Sequence, residues 1–437
     1  MRIGLIEFLL ILAIASLTVG PRVALFVDRW MRRANRANAM AARRRAEYAA
    51  QMAAERDAML KRFRTASTVF GVGILLVLVY ALGFRPIDTP PQIYKAPDLR
   101  QETGAMQTAV STDRKTQLEL GEYQGVDCIR AKDGLLYAAA WNGAALKKRT
   151  SDLVRTDGGH AAAILSVEGE LTGFAFDAAG DVWLTQLTTA GGTLCRAKHD
   201  SWGAAVEQVV TQLDGAPLGA LSAVEVSPAG KVYFAVAVAA GAENGLESAL
   251  RTELLAHTGT GAVYVYDPAA RTVEQVVGGI AGASGLALDE HTQTLYISDL
   301  GSRCIWSAAV SARSLTAGGK GCQSSFSGLP GYPGALALDE DSTLYISYRW
   351  ASSSWLERHA GSTCLRGVAL RLSESMQESL FYLPADGVRA EAVSTASGSW
   401  LWSFSGKPQG SSSALCPVEN RVYFGIAGEK ALYSVRV

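Results

Sequence analysis

The sequence predicts an all-β fold, a six-bladed β-propeller preceded by two transmembrane helices and an amphipathic cytoplasmic helix, and three observations carry that prediction. A small apolar run, an acidic or polar turn and a hydrophobic run with an aromatic recur six times: AKDGLLYAA from Ala131, FAFDAAGDVWLT from Phe174, VEVSPAGKVYFA from Val224, LALDEHTQTLYIS from Leu286, LALDEDSTLYIS from Leu336 and VSTASGSWLWSF from Val393. Repeats spaced at roughly 45 to 60 residues mark stacked supersecondary units, and strands joined by tight polar turns mark propeller blades. Two apolar stretches, at 3–19 and 66–84, precede the repeats. The 44 glycines among 437 residues suit a turn-rich β fold.

The anchor occupies residues 1–84. Between its two apolar stretches, residues 22–64 hold 12 Lys/Arg against 4 Asp/Glu, although the whole chain balances at 41 of each sign. A basic cluster flanked by apolar runs suits a membrane surface and not nucleic acid. Short arginine-rich loops stay in the cytoplasm, so the first span runs inward, the second outward, and everything after Phe84 lies outside. This reading makes the chain an integral protein of a bacterial plasma membrane. Val23, Phe26, Val27, Trp30 and Met31 recur at helical spacing with arginines between them, which predicts an amphipathic interfacial helix. Glu7 is an ionisable group within the first span, and such groups look for a polar partner or the headgroups. It points either to a homo-oligomer assembled through that span or to a carboxylate at the outer interface.

Residues 85–114 begin with RPIDTPPQIYKAPDL, a Pro-rich extended linker, and 115–437 form the propeller. Closure needs strands from both ends of the domain in one blade, so TQLEL from Thr116 is expected to pair near the C-terminus. Asp289 and Asp339 are expected to cap turns between blade strands. Five scattered histidines lack the spacing of a zinc site. Six cysteines all follow the second span, an even number in an oxidising compartment. Cys304 and Cys322 flank a short Gly-rich excursion and form the expected disulfide; buried reduced thiols are the alternative.

IGLIEFLLILAIASLTVGPRVALFVDRW resembles the start of twin-arginine translocase A/B subunits. GTGAVYVYDPAARTVEQVVGGIAGASGLALDEHTQTLYISD, followed by LPGYPGALALDEDSTLYIS, resembles the six-bladed strictosidine synthase-like and senescence-marker-protein/gluconolactonase group. Within that group, adipocyte plasma membrane-associated proteins share the layout of a span, a Pro86-Ile87-Asp88 connector and a propeller. The resemblance implies a divalent cation at the propeller centre, held by a Glu, two Asn and an Asp, and able to polarise a lactone or ester carbonyl. Carried over residue by residue, those positions fall on Asp127 in GVDCI, Ser222 or Ala223 in LSAVEV, Ser284 in ASGLAL and Gly334 in PGYPGAL. Only Asp127 is of ligand type. The glutamate that strictosidine synthases use near the last blade has no counterpart in AVSTASGSWLW.

The expectation is therefore a binding or scaffold module, with no cofactor and no catalytic residue, that displays its propeller to an extracytoplasmic protein, glycan or small ligand. The alternative is a calcium-dependent lactone or ester hydrolase with a rearranged site around Asp127.

Overall fold

A computed structural model describes residues 6, 9, 10, 25, 42–100, 107–108, 116–142, 150–156, 161–203, 206–381, 388–406, 412–426 and 428–436. Of the first expected span only residues 6, 9 and 10 are included, so Glu7 and residues 26–41 lie outside the described residues. The chain divides into two compact units, one of residues 1–88 with 367–374, the other of 89–366 with 375–437.

In the first unit a helix, Ala42–Val79, continues into a π-helical turn, Tyr80–Phe84. Its Met52–Phe84 portion spans 33 residues and is apolar enough to cross a membrane. At 1.5 Å per residue that is about 50 Å, more than a hydrocarbon core needs. Val69, Phe70, Leu75 and Leu76 are exposed on it. Residues 42–64 run into the apolar stretch without a break.

The second unit is a six-bladed propeller. From inner to outer strand, blade 1 is Gly125–Lys132, Leu135–Asn142, Thr150–Thr156 and Ala161–Glu168, and blade 2 is Glu170–Phe176, Val182–Thr188, Gly191–Ala197 and Glu207–Val210. Blade 3 is Ala220–Val226, Val232–Val238, Gly261–Asp267 and Thr272–Ile280, and blade 4 is Ala283–Asp289, Thr294–Asp299, Cys304–Ala309 and Cys322–Phe326. Blade 5 is Gly331–Leu338, Thr343–Ala351, Val388–Ser394 and Trp400–Gly406. Blade 6 takes Ser412–Val418, Arg421–Ile426 and Ala431–Arg436 from the C-terminus, and its outer strand, Thr116–Glu119, from the other end. Thr116 stands opposite Ser434, so the expected closure is present and neither end leaves an open inner edge.

Five of the six sequence repeats are the inner hairpins of blades 1 to 5. Their turns close as expected: the Asp289 carboxylate accepts from the His291 and Thr292 amides, and Asp339 from those of Asp341 and Thr343. The sixth repeat is a correction. VSTASGSWLWSF joins the two outer strands of blade 5, and the inner hairpin of blade 6 is instead LCPVENRVYFG. Both hairpins alternate apolar and polar residues around a polar turn, so the pattern does not distinguish inner from outer.

The expected disulfide is also corrected, because Cys304 and Cys322 are free and buried. Cys322 pairs in register with Ala308, four positions along the strand from Cys304. A bridge needs Cα atoms within roughly 7 Å, and four strand residues span about 13 Å. The Gly-rich excursion does not fold the two thiols together. It carries Leu315–Thr316 to the outer edge of blade 3, where it pairs in parallel with Val277 and Gly278.

Apolar side chains fill the spaces between blades. Tyr137, Leu153 and Leu165 of blade 1 meet Phe174, Leu184 and Cys195 of blade 2, all buried. Residues 89–100 run extended along the propeller and are hydrogen-bonded to it. The Gln92 amide donates to the Ala256 carbonyl at 2.7 Å, and the Arg100 amide to that of Gly328 at 2.8 Å. Tyr94 stacks on His257 at 3.7 Å between ring centroids. The Arg366 guanidinium, fully buried, donates to the carbonyls of Leu255, Ala256, Ala360 and Gln92.

Candidate functional site

The inner strands surround a central cavity of about 420 Å³, its open mouth included. They approach one another too closely for side chains at some points. A Cβ on Gly285 of blade 4 would stand 2.4 Å from the Gly334 carbonyl oxygen of blade 5, and one on Gly173 of blade 2 would stand 3.2 Å from the Ala223 Cα of blade 3. Glycine at these positions lets adjacent backbones line the axis.

All four positions singled out from the sequence line this cavity or adjoin it. Asp127, Ser222 and Ser284 are among its lining residues. Gly334 adjoins it beside Ala335, and its carbonyl accepts the Ser298 hydroxyl at 2.7 Å. Ser222 is buried and donates its hydroxyl to the Ala283 carbonyl at 2.6 Å. Ser284, also buried, donates to the Pro333 carbonyl at 2.7 Å. Both protons are spent tying one blade to the next, which leaves lone pairs on the two oxygens.

Three further groups escaped the sequence reading, two lining the cavity, Arg130 and Arg349, and Glu225 paired to the first of them. Arg130 of blade 1 crosses to Glu225 of blade 3 in a close ion pair, and its Nε reaches toward the Phe174 carbonyl at 3.4 Å. Burial presses the Arg130 guanidinium down, yet the Glu225 carboxylate holds it above its ordinary value; burial pushes the Glu225 carboxyl up against the pull of Arg130. The third is Arg349, 5% exposed, on the second strand of blade 5. Its Cβ lies 3.5 Å from where a Gly334 side chain would begin. The signal was present in TLYISYRWA, where one cation interrupts a strand that is otherwise apolar or weakly polar and central to its sheet.

The donor set does not fit the divalent cation that the family resemblance implies. A hard cation takes six or more oxygens with carboxylates among them. Of the four positions, one carries a carboxylate, two carry neutral hydroxyls, and the last has no side chain and adjoins an arginine. Among the described residues, no group of three or more His, Cys, Asp or Glu side chains is arranged to hold a metal. Burial pushes the Cys128 thiol, which lines the cavity, up from its ordinary value, and the Cys416 thiol up to about 12, away from the thiolate form.

The model for the SMP-30/Gluconolactonase/LRE-like region matches residues 170–356, from the inner strand of blade 2 into blade 5. Over those residues the propeller is similar to that family. Solved structures agree on the fold. A gluconolactonase from Xanthomonas campestris superposes with a TM-score of 0.51 at 15% identity, covering 81% of this chain and 99% of that one. A luciferin-regenerating enzyme superposes at 0.50 with 16% identity, covering 74% and 95%. No curated protein matches the sequence. At such identities the likeness speaks for blade architecture and not for chemistry.

Proposed function

We propose that this chain is a membrane-tethered binding module that displays an SMP-30/gluconolactonase-like propeller outside the cytoplasm and takes a small ligand into its central cavity. The observation that carries this reading is the cavity lining: the expected ligand positions supply one carboxylate, and arginines stand where a cation would otherwise concentrate positive charge. The apolar Met52–Phe84 helix supports the tether, and the arginine-rich residues before it support the outward orientation.

Two measurements test it. The full chain in detergent is assayed against lactones and aryl esters with and without calcium; the expected result is no turnover and an unchanged melting temperature. Calcium-dependent stabilisation together with hydrolysis that Asp127→Ala abolishes would replace this reading with that of a hydrolase. For orientation, Cys364 is exposed and the other cysteines are buried or half-buried. A membrane-impermeant maleimide should label it on intact cells, and labelling only after lysis would reverse the topology.

A further inference from the structure

We propose that the propeller axis of this protein holds a single-atom inorganic anion, chloride in a physiological medium, on the Arg349 guanidinium. This rests on the binding-module reading and names what the central cavity takes up.

Arg349 is nine-tenths buried and lines the cavity, yet among the described residues no hydrogen bond or ion pair reaches it, and its Nε is fully enclosed without a partner. A guanidinium keeps its charge at any physiological pH, and burying it unpaired is costly. Other buried arginines carry a counter-charge. Arg130, in the same lining, is paired with Glu225; Arg303 faces Glu357 at 3.0 Å, and Arg251 pairs with Glu247 at 3.0 Å. Arg349 has none from the described residues, so an anion from solution is what neutralises it.

Size decides the class of anion. With the open mouth set aside, the cavity has room for about 30 Å³, and a water molecule needs roughly 10–15 Å³ on that scale. A sugar, a lactone or an organic acid does not fit inside it, whereas an ion of one atom does. Charge follows from the neighbours. Asp127 shares the lining, and the Glu225 carboxylate stands behind Arg130, so a divalent anion meets more repulsion than a monoanion. A spherical anion also takes N–H donors from several directions, and the fold has a source of them. Each of the six inner strands is the edge of its sheet and turns N–H groups that the ladder leaves unpaired toward the axis. Gly173 and Gly285 line the cavity, and there no side chain stands between backbone and ion. The axis that the family resemblance assigns to a divalent cation is in this way reversed in sign.

The test dialyses the full chain in detergent free of halide and compares its melting temperature in sodium chloride and in sodium methanesulfonate of equal ionic strength. Methanesulfonate is a monoanion too large for the cavity. Chloride should raise the melting temperature by on the order of 5 °C at a hundred times its dissociation constant, and bromide should replace it. Equilibrium dialysis with radioactive chloride should retain a single ion per chain. Arg349→Gln should retain none and melt at one temperature in both salts. Arg349→Met should also be indifferent to chloride, and in methanesulfonate it should melt above the unsubstituted protein. Equal melting of the unsubstituted protein in the two salts, no retained chloride, or a chloride dependence that persists in both variants would overturn the inference and leave the module reading standing. Calcium-dependent stabilisation with hydrolysis, read in methanesulfonate, would remove both.

Discussion

Two arginines sit almost equally deep in this propeller and meet opposite surroundings. Arg366 is fully buried; its two terminal nitrogens reach four carbonyls on three chain segments, and its guanidinium lies 5.0 Å from the Tyr94 ring centroid. Arg349 is 5% exposed and reaches no partner among the described residues. Burial therefore does not separate scaffold from site. What separates them is where the donors end: on the protein's own carbonyls, which welds residues 89–100 to the propeller, or on an open cavity.

The strongest test of that contrast is Arg366→Met. Four carbonyls lose their donor in a single step, and stranded buried polar groups cost about 1–3 kcal/mol each before relaxation. We expect a net loss of about 3–5 kcal/mol, read as a lower urea midpoint with an unchanged slope. A loss below about 1 kcal/mol would mean that the 89–100 segment is not held by this residue, and the contrast with Arg349 would collapse.

A smaller effect separates two neighbours on the same structural side. Glu253 is fully buried at the end of the Leu246–Ala256 helix, accepts from the Thr258 hydroxyl and the Gly259 amide, and is pushed by burial to about 7. A carboxyl raised in the folded state favours folding below its unfolded value near 4.5, and that contribution is lost as pH rises through about 7. Burial, with Arg366 nearby, lowers His257 to about 4, so its contribution is present above about 6.5 and lost as pH falls toward 4. The two slopes oppose each other between pH 4.5 and 6.5. Glu253→Gln removes one of them and should stabilise the protein by about 1–3 kcal/mol at pH 8 while changing little at pH 4. A flat difference across that range would show that the fold does not raise the Glu253 carboxyl above its unfolded value.

Next in size comes Arg349→Met without ligand, which should gain about 1 kcal/mol where Arg366→Met loses several. The same side-chain change thus reads opposite signs at the two positions. A loss at Arg349 would assign it to the scaffold as well.

The repeats made the blade count and its closure legible because strand alternation and turn chemistry are local: Asp289 and Asp339 cap turns within a few residues of themselves. The four axis positions were legible through the family resemblance, and the fold brings them together. Arg130 and Glu225 were not legible, since their meaning depends on which of six inner strands face one another, whereas Arg349 left a signal as the one cation in TLYISYRWA. Glu225 in VEVSPAG reads as an ordinary solvent-facing residue of a strand until blade 1 brings Arg130 across the axis. The sixth repeat misled for the related reason that inner and outer hairpins share one local pattern.

The smallest expected effect concerns the cysteines, where local spacing also misled. A Gly-rich excursion between Cys304 and Cys322 suggested a return beside the starting strand, but its Leu315–Thr316 step goes to the neighbouring blade, and only then does the chain re-enter at Cys322. The register fixes Cys322 opposite Ala308, so closing a bridge to Cys304 would require a slip of four residues. Such a slip is even-numbered and would keep side chains on their faces, but it would break the pairing of Ile305 with Phe326 and expose buried apolar surface. Burial also pushes both thiols up, so neither supplies the thiolate that oxidation needs. Reductant should therefore shift the unfolding midpoint by less than about 0.5 kcal/mol, whereas a bridge would contribute about 2–4 kcal/mol. A reductant-dependent loss of that larger size would overturn the register of blade 4 itself.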